Sequence, residues 1–249
     1  MPPRPAGDVT VSVVSPAHNE AENLPALVAE VAEALAPLGR PWEMIVVDDA
    51  STDGSAAILR RLMDEQPALR VLTLRPRSGQ TAALEAGLAA ARGQFIATLD
   101  ADLQNDPHEI LRLLPKVAEG ECDFANGWRK DRRDPWLRRV STRIANGVRN
   151  RLTHEQIHDS ACGLKVFRRE VAERVRLFNG LHRFLPTLAR MHGFRVAEVP
   201  ANHRPRTAGR AKYGVWNRVF KALRDCFAIR WMQRRLLVYQ VEEEERDDA

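Results

Sequence analysis

The sequence predicts an α/β protein: a doubly wound, mostly parallel sheet with helices on both faces, followed by a C-terminal amphipathic helix. Three observations carry this. Short apolar runs at 9–15, 44–47, 71–74 and 95–99 alternate with segments of helical spacing over the first hundred residues. The second run ends in Asp48 and Asp49, and the fourth in Asp100 and Asp102. The alternation persists to about residue 127 and then gives way to a strongly basic segment. Parallel strands joined by right-handed crossovers place their carboxyl ends along one edge, where open α/β sheets bind ligands. That edge should collect Glu20, Asp49, Asp100 and Asp102.

VTVSVVS is the first strand, and in the following PAHNEAENL either Asn19 or Glu20 opens a helix ended by Pro37 and Gly39. The second strand runs into DDASTDGS, where Ser51 or Thr52 can cap the next helix. The third strand leads to a helix over 79–91, which Gly93 ends. FIATL reads as a strand buried on both faces, after which Asp106 and Pro107 start a helix as N-cap and first helical residue. A strand over 123–127 precedes WRKDRRDPWLRRVSTRIAN. Helical spacing returns at 137–152, 167–175 and 184–191, with a strand at 194–199 and a basic loop, HRPRTAGRAK, beyond it. From 215 to 239, Trp216, Val219, Phe220, Leu223 and Phe227 follow helical spacing, either as a core-packed helix or as an interfacial one.

With 249 residues, 44% of them hydrophobic, the chain can bury a core without help. Cys122, Cys162 and Cys226 are far apart and form no CxxC, which suits a reducing compartment. MPPRPAGD lacks the apolar stretch of a signal peptide, and no run of uncharged apolar residues is long enough for a membrane span. The formal charge of +5 divides into −5 for residues 242–248 and +10 for the rest. Residues 129–151 hold nine Lys or Arg against two Asp, and 199–224 hold seven against no acid. Such segments imply an anionic partner: nucleic acid, a phosphorylated substrate or an acidic membrane surface. They lack interleaved aromatics and any zinc-finger or RNP pattern, so nucleic acid is disfavoured.

An extended DAD places two carboxylates on one side of the backbone, and with the Gln104 amide oxygen they suit Mg²⁺ or Mn²⁺. The alternative is a solvated turn. His154, Glu155 and His158 match the HExxH of zinc hydrolases, but Ala161 and Leu164 occupy the Gly and His places of its longer form. The segment also reads as a loop, and a third ligand of the kind a catalytic zinc requires, such as Glu170, Glu173 or Glu198, has no pattern support. GxGxxG after a strand and GxxxxGK are both absent.

Six ordered blocks, PAHNEAENL, IVVDDASTDGS, FIATLDADLQ with Pro107, NGWRK, DSACGLKVFRREV and EVPANHRPRTAGRAKYG, resemble family 2 glycosyltransferases of the GT-A fold. Within that family they are similar to polyprenyl-phosphate sugar synthases of the dolichol-phosphate mannosyltransferase kind. The resemblance implies a catalytic domain over 9–214, divided into a nucleotide-sugar half (9–104) and an acceptor half (105–214). A helical extension (215–240) and an acidic tail (241–249) follow. It implies that Pro16, His18, Glu20, Val47, Asp49 and Ala101 surround the donor nucleotide, and that Asp100, Asp102 and Gln104 bind the metal. Arg129, Arg183, Arg206 and Lys212 would meet donor phosphates, while Arg138 or Arg139 with Thr142 would clamp the acceptor phosphate. His18 stands where the family usually has Tyr, and Ala211 replaces the Ser of the loop's SK pair.

The implied reaction is inverting transfer of a sugar from a nucleotide-diphosphate donor to a polyprenyl phosphate. The acceptor's second pKa, about 6, makes it largely an anionic nucleophile at neutral pH, so no strong general base is needed. Asp159, the one obvious further acid near the acceptor segment, is read as bonding a turn. Expected partners are the nucleotide sugar and lipid, with membrane contact through Trp216, Phe220, Trp231, Leu236, Arg230, Arg234 and Arg235, or through a membrane partner subunit. The expected location is cytoplasmic and peripheral, at the inner face of the membrane. A scaffold that kept the fold without turnover is the alternative. The donor stays open among GDP-mannose, UDP-glucose, UDP-galacturonate and an aminoarabinose donor.

Overall fold

The computed structural model describes residues 9–129, 147, 149–153, 155–202, 204 and 215–237, with backbone only for 215–222. Among these residues seven strands form one sheet: β1 (Val11–Ala17), β2 (Trp42–Asp48), β3 (Leu69–Thr73), β4 (Phe95–Thr98), β5 (Phe124–Trp128), β6 (Lys165–Arg168) and β7 (Val196–Pro200). Their spatial order is β3-β2-β1-β4-β6-β5-β7. Pairing is parallel except at β6, which runs antiparallel to β4 and β5. The helices are α1 (Leu24–Leu35), α2 (Ser55–Glu65), α3 (Gln80–Ala90), α4 (Ile110–Ala118), α5 (Arg169–Arg174), α6 (Leu185–Met191) and α7 (Val215–Arg235).

Strand side chains alternate between faces, and the first strands use that alternation to serve two cores. Val11 and Val13 of β1, Met44 and Val46 of β2, and Phe95 and Ala97 of β4 face the layer of α1, α2 and α4. Val14, Ile45, Val47 and Ile96 face the other layer, where α3, α5, α6 and α7 contribute Leu84, Val171, Leu185, Leu188, Cys226 and Ile229. Each large apolar side chain among them contributes about 1.5–3 kcal/mol by leaving water. Gly87 lets α3 lie close on the sheet, since a Cβ there would stand 3.1 Å from Val47 Cγ2. That approach sets where the N-terminus of α3 meets the carboxyl edge.

Several elements differ from expectation. α1 begins at Leu24, because Asn19 is left-handed (φ 55°) and Asn23 takes the cap position. α2 begins at Ser55 after Gly54, so neither Ser51 nor Thr52 caps it. Their polar groups are used across the loops instead: Ser51 donates to Asp48, and the Thr52 amide donates to Asn19 Oδ1 at 2.8 Å. The stretch 167–175 is not one helix, since Lys165–Arg168 is the antiparallel strand β6 and only Arg169–Arg174 is helical. Asp106 caps as expected, accepting from His108 N at 3.1 Å, although a 3₁₀ turn (Pro107–Glu109) precedes α4. Of the helix expected over 137–152, residues 147 and 149–152 are described and helical. The rest of it, the basic loop beyond 204 and the acidic tail lie outside the described residues.

Candidate active site

The loops leaving β1 and β2 are tied together by side chains. The His18 ring donates through Nδ1 to Asp49 O at 2.8 Å, since a carbonyl oxygen can only accept. Asn19 N donates to Ser51 Oγ at 2.9 Å, and Ala21 N to Asp53 Oδ2 at 3.1 Å. Glu20 accepts from Asn23 Nδ2 at 2.7 Å and Ser55 Oγ from Glu20 N at 3.2 Å, so Glu20 is fixed at both its side chain and its backbone. Asp49, 3% exposed, accepts from the amides of Ser78 at 2.6 Å and Gly79 at 2.8 Å, just before α3. Backbone donors at a helix N-terminus orient a carboxylate with the partial positive charge of the helix end and without a full countercharge. Pro16 and Val47 are paired across β1 and β2; Val47 is fully buried, and Pro16 is half-buried at the same edge.

The DAD segment departs from the extended form. Asp100 follows β4, but Ala101 and Asp102 lie in a turn and Leu103 is left-handed (φ 58°). Ala101 is 4% exposed and packs into the core below the turn. Asp100 Oδ1 accepts from Gln80 Nε2 at 3.0 Å, and Asp102 Oδ1 from Gln104 N at 3.3 Å. Gly163 abuts Asp100: a Cβ there would lie 2.6 Å from Asp100 Cγ and 2.9 Å from Asn105 Nδ2. Two carboxylates with the Gln104 amide, oriented by neutral donors, fit a hard divalent cation that completes its shell with phosphate oxygens. Among the described residues no group of three or more His, Cys, Asp or Glu is placed to hold a metal, so such a site would depend on those oxygens. Arg204, at the root of the basic loop, donates N–H to Gln104 O at 2.9 Å and pairs with Asp106 Oδ2 at 3.0 Å and Glu30 Oε2 at 2.6 Å.

Across the antiparallel half, carboxylates are held by arginines. Asp159 receives Arg129 Nε at 2.6 Å and a terminal guanidinium nitrogen at 2.9 Å, a bidentate pair with little exposure. Burial alone would lower the Arg129 pKa, but the hydrogen bonds and charge of Asp159 raise it. Asp159 therefore does more than hold a turn. Glu198 fixes the adjoining backbone, accepting from His158 N at 2.9 Å and Asp159 N at 3.1 Å, while Trp128 stacks on the His158 ring at 4.6 Å. Lys165 is buried and donates to Cys162 O; burial lowers its pKa against the neighbouring charges of Asp100 and Asp159. Glu155 pairs with Arg190 at 2.5 Å, and residues 155–158 are not helical. The i, i+4 helical face that an HExxH zinc site needs is therefore not formed there; His154 lies outside the described residues.

Arg183 pairs with Asp225 of α7 at 3.2 Å. Beside it, Thr81 Oγ1 accepts from Gly180 N at 3.0 Å and shares a hydrogen bond with His182 Nδ1 at 2.7 Å. Burial, then the charges of Arg183 and Lys165, push the His182 pKa down to about 4. The structure thus brings Pro16, His18, Glu20, Asp49, Asp100, Asp102 and Gln104 to the carboxyl edge of the parallel strands, with Arg129 at the end of β5. Arg138, Arg139, Thr142, Arg206 and Lys212 lie outside the described residues. Sequence reasoning misses Ser78, Gly79, Gln80, Gly163 and the pairing of Asp159 with Arg129, because the partners stand 20 to 63 positions apart. The one available signal is topological: a helix that follows β3 must start on the carboxyl edge at which β4 also ends.

The sheet matches a mannosyltransferase from Pyrobaculum calidifontis, solved with GDP-Man and Mn²⁺, with TM-score 0.62 and 24% identity over 91% of this chain and 65% of that one. It matches mannosyl-3-phosphoglycerate synthase from Rubrobacter xylanophilus with TM-score 0.69 and 19% identity over 93% of this chain and 77% of that one. The fold is the GT-A fold that these structures share. The Glycosyl transferase family 2 model matches residues 12–176, and the chain belongs to that family. It is 36% identical to dodecaprenyl-phosphate galacturonate synthase of Rhizobium johnstonii over 92% of this chain and 69% of the relative. It is 37% identical to undecaprenyl-phosphate 4-deoxy-4-formamido-L-arabinose transferase of Edwardsiella ictaluri over 82% of this chain and 63% of that relative.

Proposed function

We propose that this chain transfers a glycosyl group from a nucleotide-diphosphate donor to the phosphate of a polyprenyl lipid, with inversion, using Mg²⁺ or Mn²⁺ at Asp100, Asp102 and Gln104. The observation that carries the reading is the carboxyl edge itself, where the Asp49, Asp100 and Asp102 carboxylates are brought together and accept from amide donors. His18, Glu20 and Asp49 then receive the base and ribose, the carboxylates accepting hydroxyl or base N–H groups. A bound divalent cation supplies charge neutralisation for the departing diphosphate. Arg129 has its plane fixed by Asp159, which takes two of its five donors, and the remaining edge is assigned to a donor phosphate. Arg206 and Lys212 are given the same task, supported by the attachment of the loop's root, Arg204, to the DAD turn. Arg138 or Arg139 with Thr142 is assigned to the acceptor phosphate, and Arg183 to a donor phosphate only if it leaves Asp225.

No helix among the described residues is long and apolar enough to cross a membrane. Phe227 and Trp231 stand 61% and 64% exposed on one side of α7, with Arg234 and Arg235 also exposed at its end. That combination supports peripheral contact with an anionic membrane surface. The relatives' names put UDP-galacturonate-type and formamido-arabinose-type donors first on the panel to test. Incubation with a donor panel and a short polyprenyl phosphate, read by mass spectrometry of the lipid, should yield one glycosylated product. Asp102→Asn should lower that yield at least about a hundredfold, since an outer partner of a metal alone typically costs about 10–100-fold. Wild-type yield from this variant across a Mg²⁺ and Mn²⁺ titration sinks the metal assignment.

A further inference from the structure

Gln80 is the first residue of α3, and its side chain leaves the helix to donate to Asp100 Oδ1 at 3.0 Å. The two residues before it, Ser78 and Gly79, give their amides to Asp49. One helix end therefore holds a carboxylate that follows β2 and a carboxylate that follows β4, two strands that are not neighbours in the sheet. On its other side Asp100 is confined by Gly163, where a Cβ would stand 2.6 Å from Asp100 Cγ. Gly163 is itself tied to β4 by Thr98 Oγ1, which donates to its carbonyl at 2.7 Å. Asp100 thus lies between an amide donor and a glycine wall, within the electrostatic reach of Arg129 and Lys165.

We propose that Gln80 is a positioning residue for the metal site, and that it fixes the Asp100 carboxylate in its cation-receiving orientation and in register with Asp49. This rests on the assignment of Asp100 and Asp102 to the metal. A glutamine suits the task because its amide hydrogen occupies one lone pair of Oδ1 and adds no charge. A lysine or arginine there would cancel charge the cation needs. A glutamate would repel Asp100. Partners of this kind orient a ligand before the ion arrives, and losing one typically costs about 10–100-fold in metal affinity.

The test is Mn²⁺ binding to the full chain in the presence of saturating UDP or GDP, read as loss of the free-ion signal in electron paramagnetic resonance after subtraction of the nucleotide's own Mn²⁺ binding, alongside the Mn²⁺ dependence of turnover. Gln80→Leu, similar in size and without a donor, should weaken Mn²⁺ binding about tenfold and raise the Mn²⁺ concentration for half-maximal turnover by a like factor. Turnover at saturating Mn²⁺ should stay within about twofold of wild type. A merely structural role would instead lower saturating turnover or the melting temperature without moving the metal midpoint, and that outcome overturns the proposal. Gly163→Ala should move the midpoint the same way from the opposite wall, and Arg61→Ala, on the exposed side of α2, supplies the unchanged reference. Mn²⁺ binding by Gln80→Leu equal to wild type, while Asp102→Asn loses it, overturns the role of Gln80 and leaves the metal site standing. Mn²⁺ binding unaffected by Asp102→Asn overturns both.

Discussion

Two parts of the same sheet hold their acids in different ways. At the carboxyl edge of β1, β2 and β4, Asp49 takes the amides of Ser78 and Gly79, Asp100 takes the Gln80 amide and Asp102 the Gln104 amide. Around β5, β6 and β7, Asp159 takes Arg129, Glu155 takes Arg190, Asp123 takes Arg195, and Asp225 on α7 takes Arg183. A neutral donor orients a carboxylate and adds no charge; a guanidinium orients it and cancels the charge. The first arrangement suits a cation or a hydroxyl-rich ligand, and the second suits a framework. Arg129 belongs to both, since its partner is framework and its remaining edge is the one proposed for a donor phosphate.

The contrast is open to attack in order of expected effect. Asp159→Ala leaves the buried Arg129 guanidinium without its partner and should cost about 3–5 kcal/mol in urea unfolding. Asp49→Asn removes charge-assisted bonds to two amides and should cost less, about 1.5–3 kcal/mol, while weakening donor binding measured by calorimetry. Equal losses would erase the distinction between the two supports.

His182 gives a smaller, pH-dependent effect at the joint between α3 and α7. Its folded pKa of about 4 lies below the unfolded value of 6.5, so the unfolded chain binds the extra proton between those values. Its share of stability is fully present above pH 6.5 and is lost as pH falls toward 4, by up to about 2–3 kcal/mol. His182→Asn should flatten that part of the stability curve, measured as unfolding midpoints from pH 7 to 4. The smallest change in stability, within about 0.5 kcal/mol, is expected for Phe227→Ser with Trp231→Ser on the outer face of α7. The same pair should abolish flotation with anionic vesicles. Retained flotation removes that face from the membrane reading.

The parallel half was legible because its signals are local. An apolar run such as FIATL followed by DADLQ announces a buried strand and the acids at its end. The antiparallel strand β6 was hidden in KVFRREVAER, where charged, helix-favouring residues follow only four strand residues and central position in the sheet is set by pairing with β4 and β5. The late start of α1 was hidden by a left-handed Asn19 whose reason lies across the loop at Thr52. In the site, Asp100 and Asp102 could be read from spacing, whereas Gln80, Gly163 and the Arg129–Asp159 pair could not, because only tertiary packing brings them together.

Asn19, Ala50 and Leu103 are the described residues other than glycine with positive φ, at 55°, 52° and 58°, and all three follow strand ends at the proposed site. Asn tolerates that region, but for Ala50 and Leu103 it costs about 1–2 kcal/mol each. A protein engineer seeking heat resistance would find a gain here by placing glycine at 50, and would thereby slacken the turn that aims Asp49, whereas at 103 the packing of Leu103 in the core outweighs the strain. The chain's thermal tolerance and its catalytic geometry are in this sense drawn from one reserve, and selection for either is felt by the other.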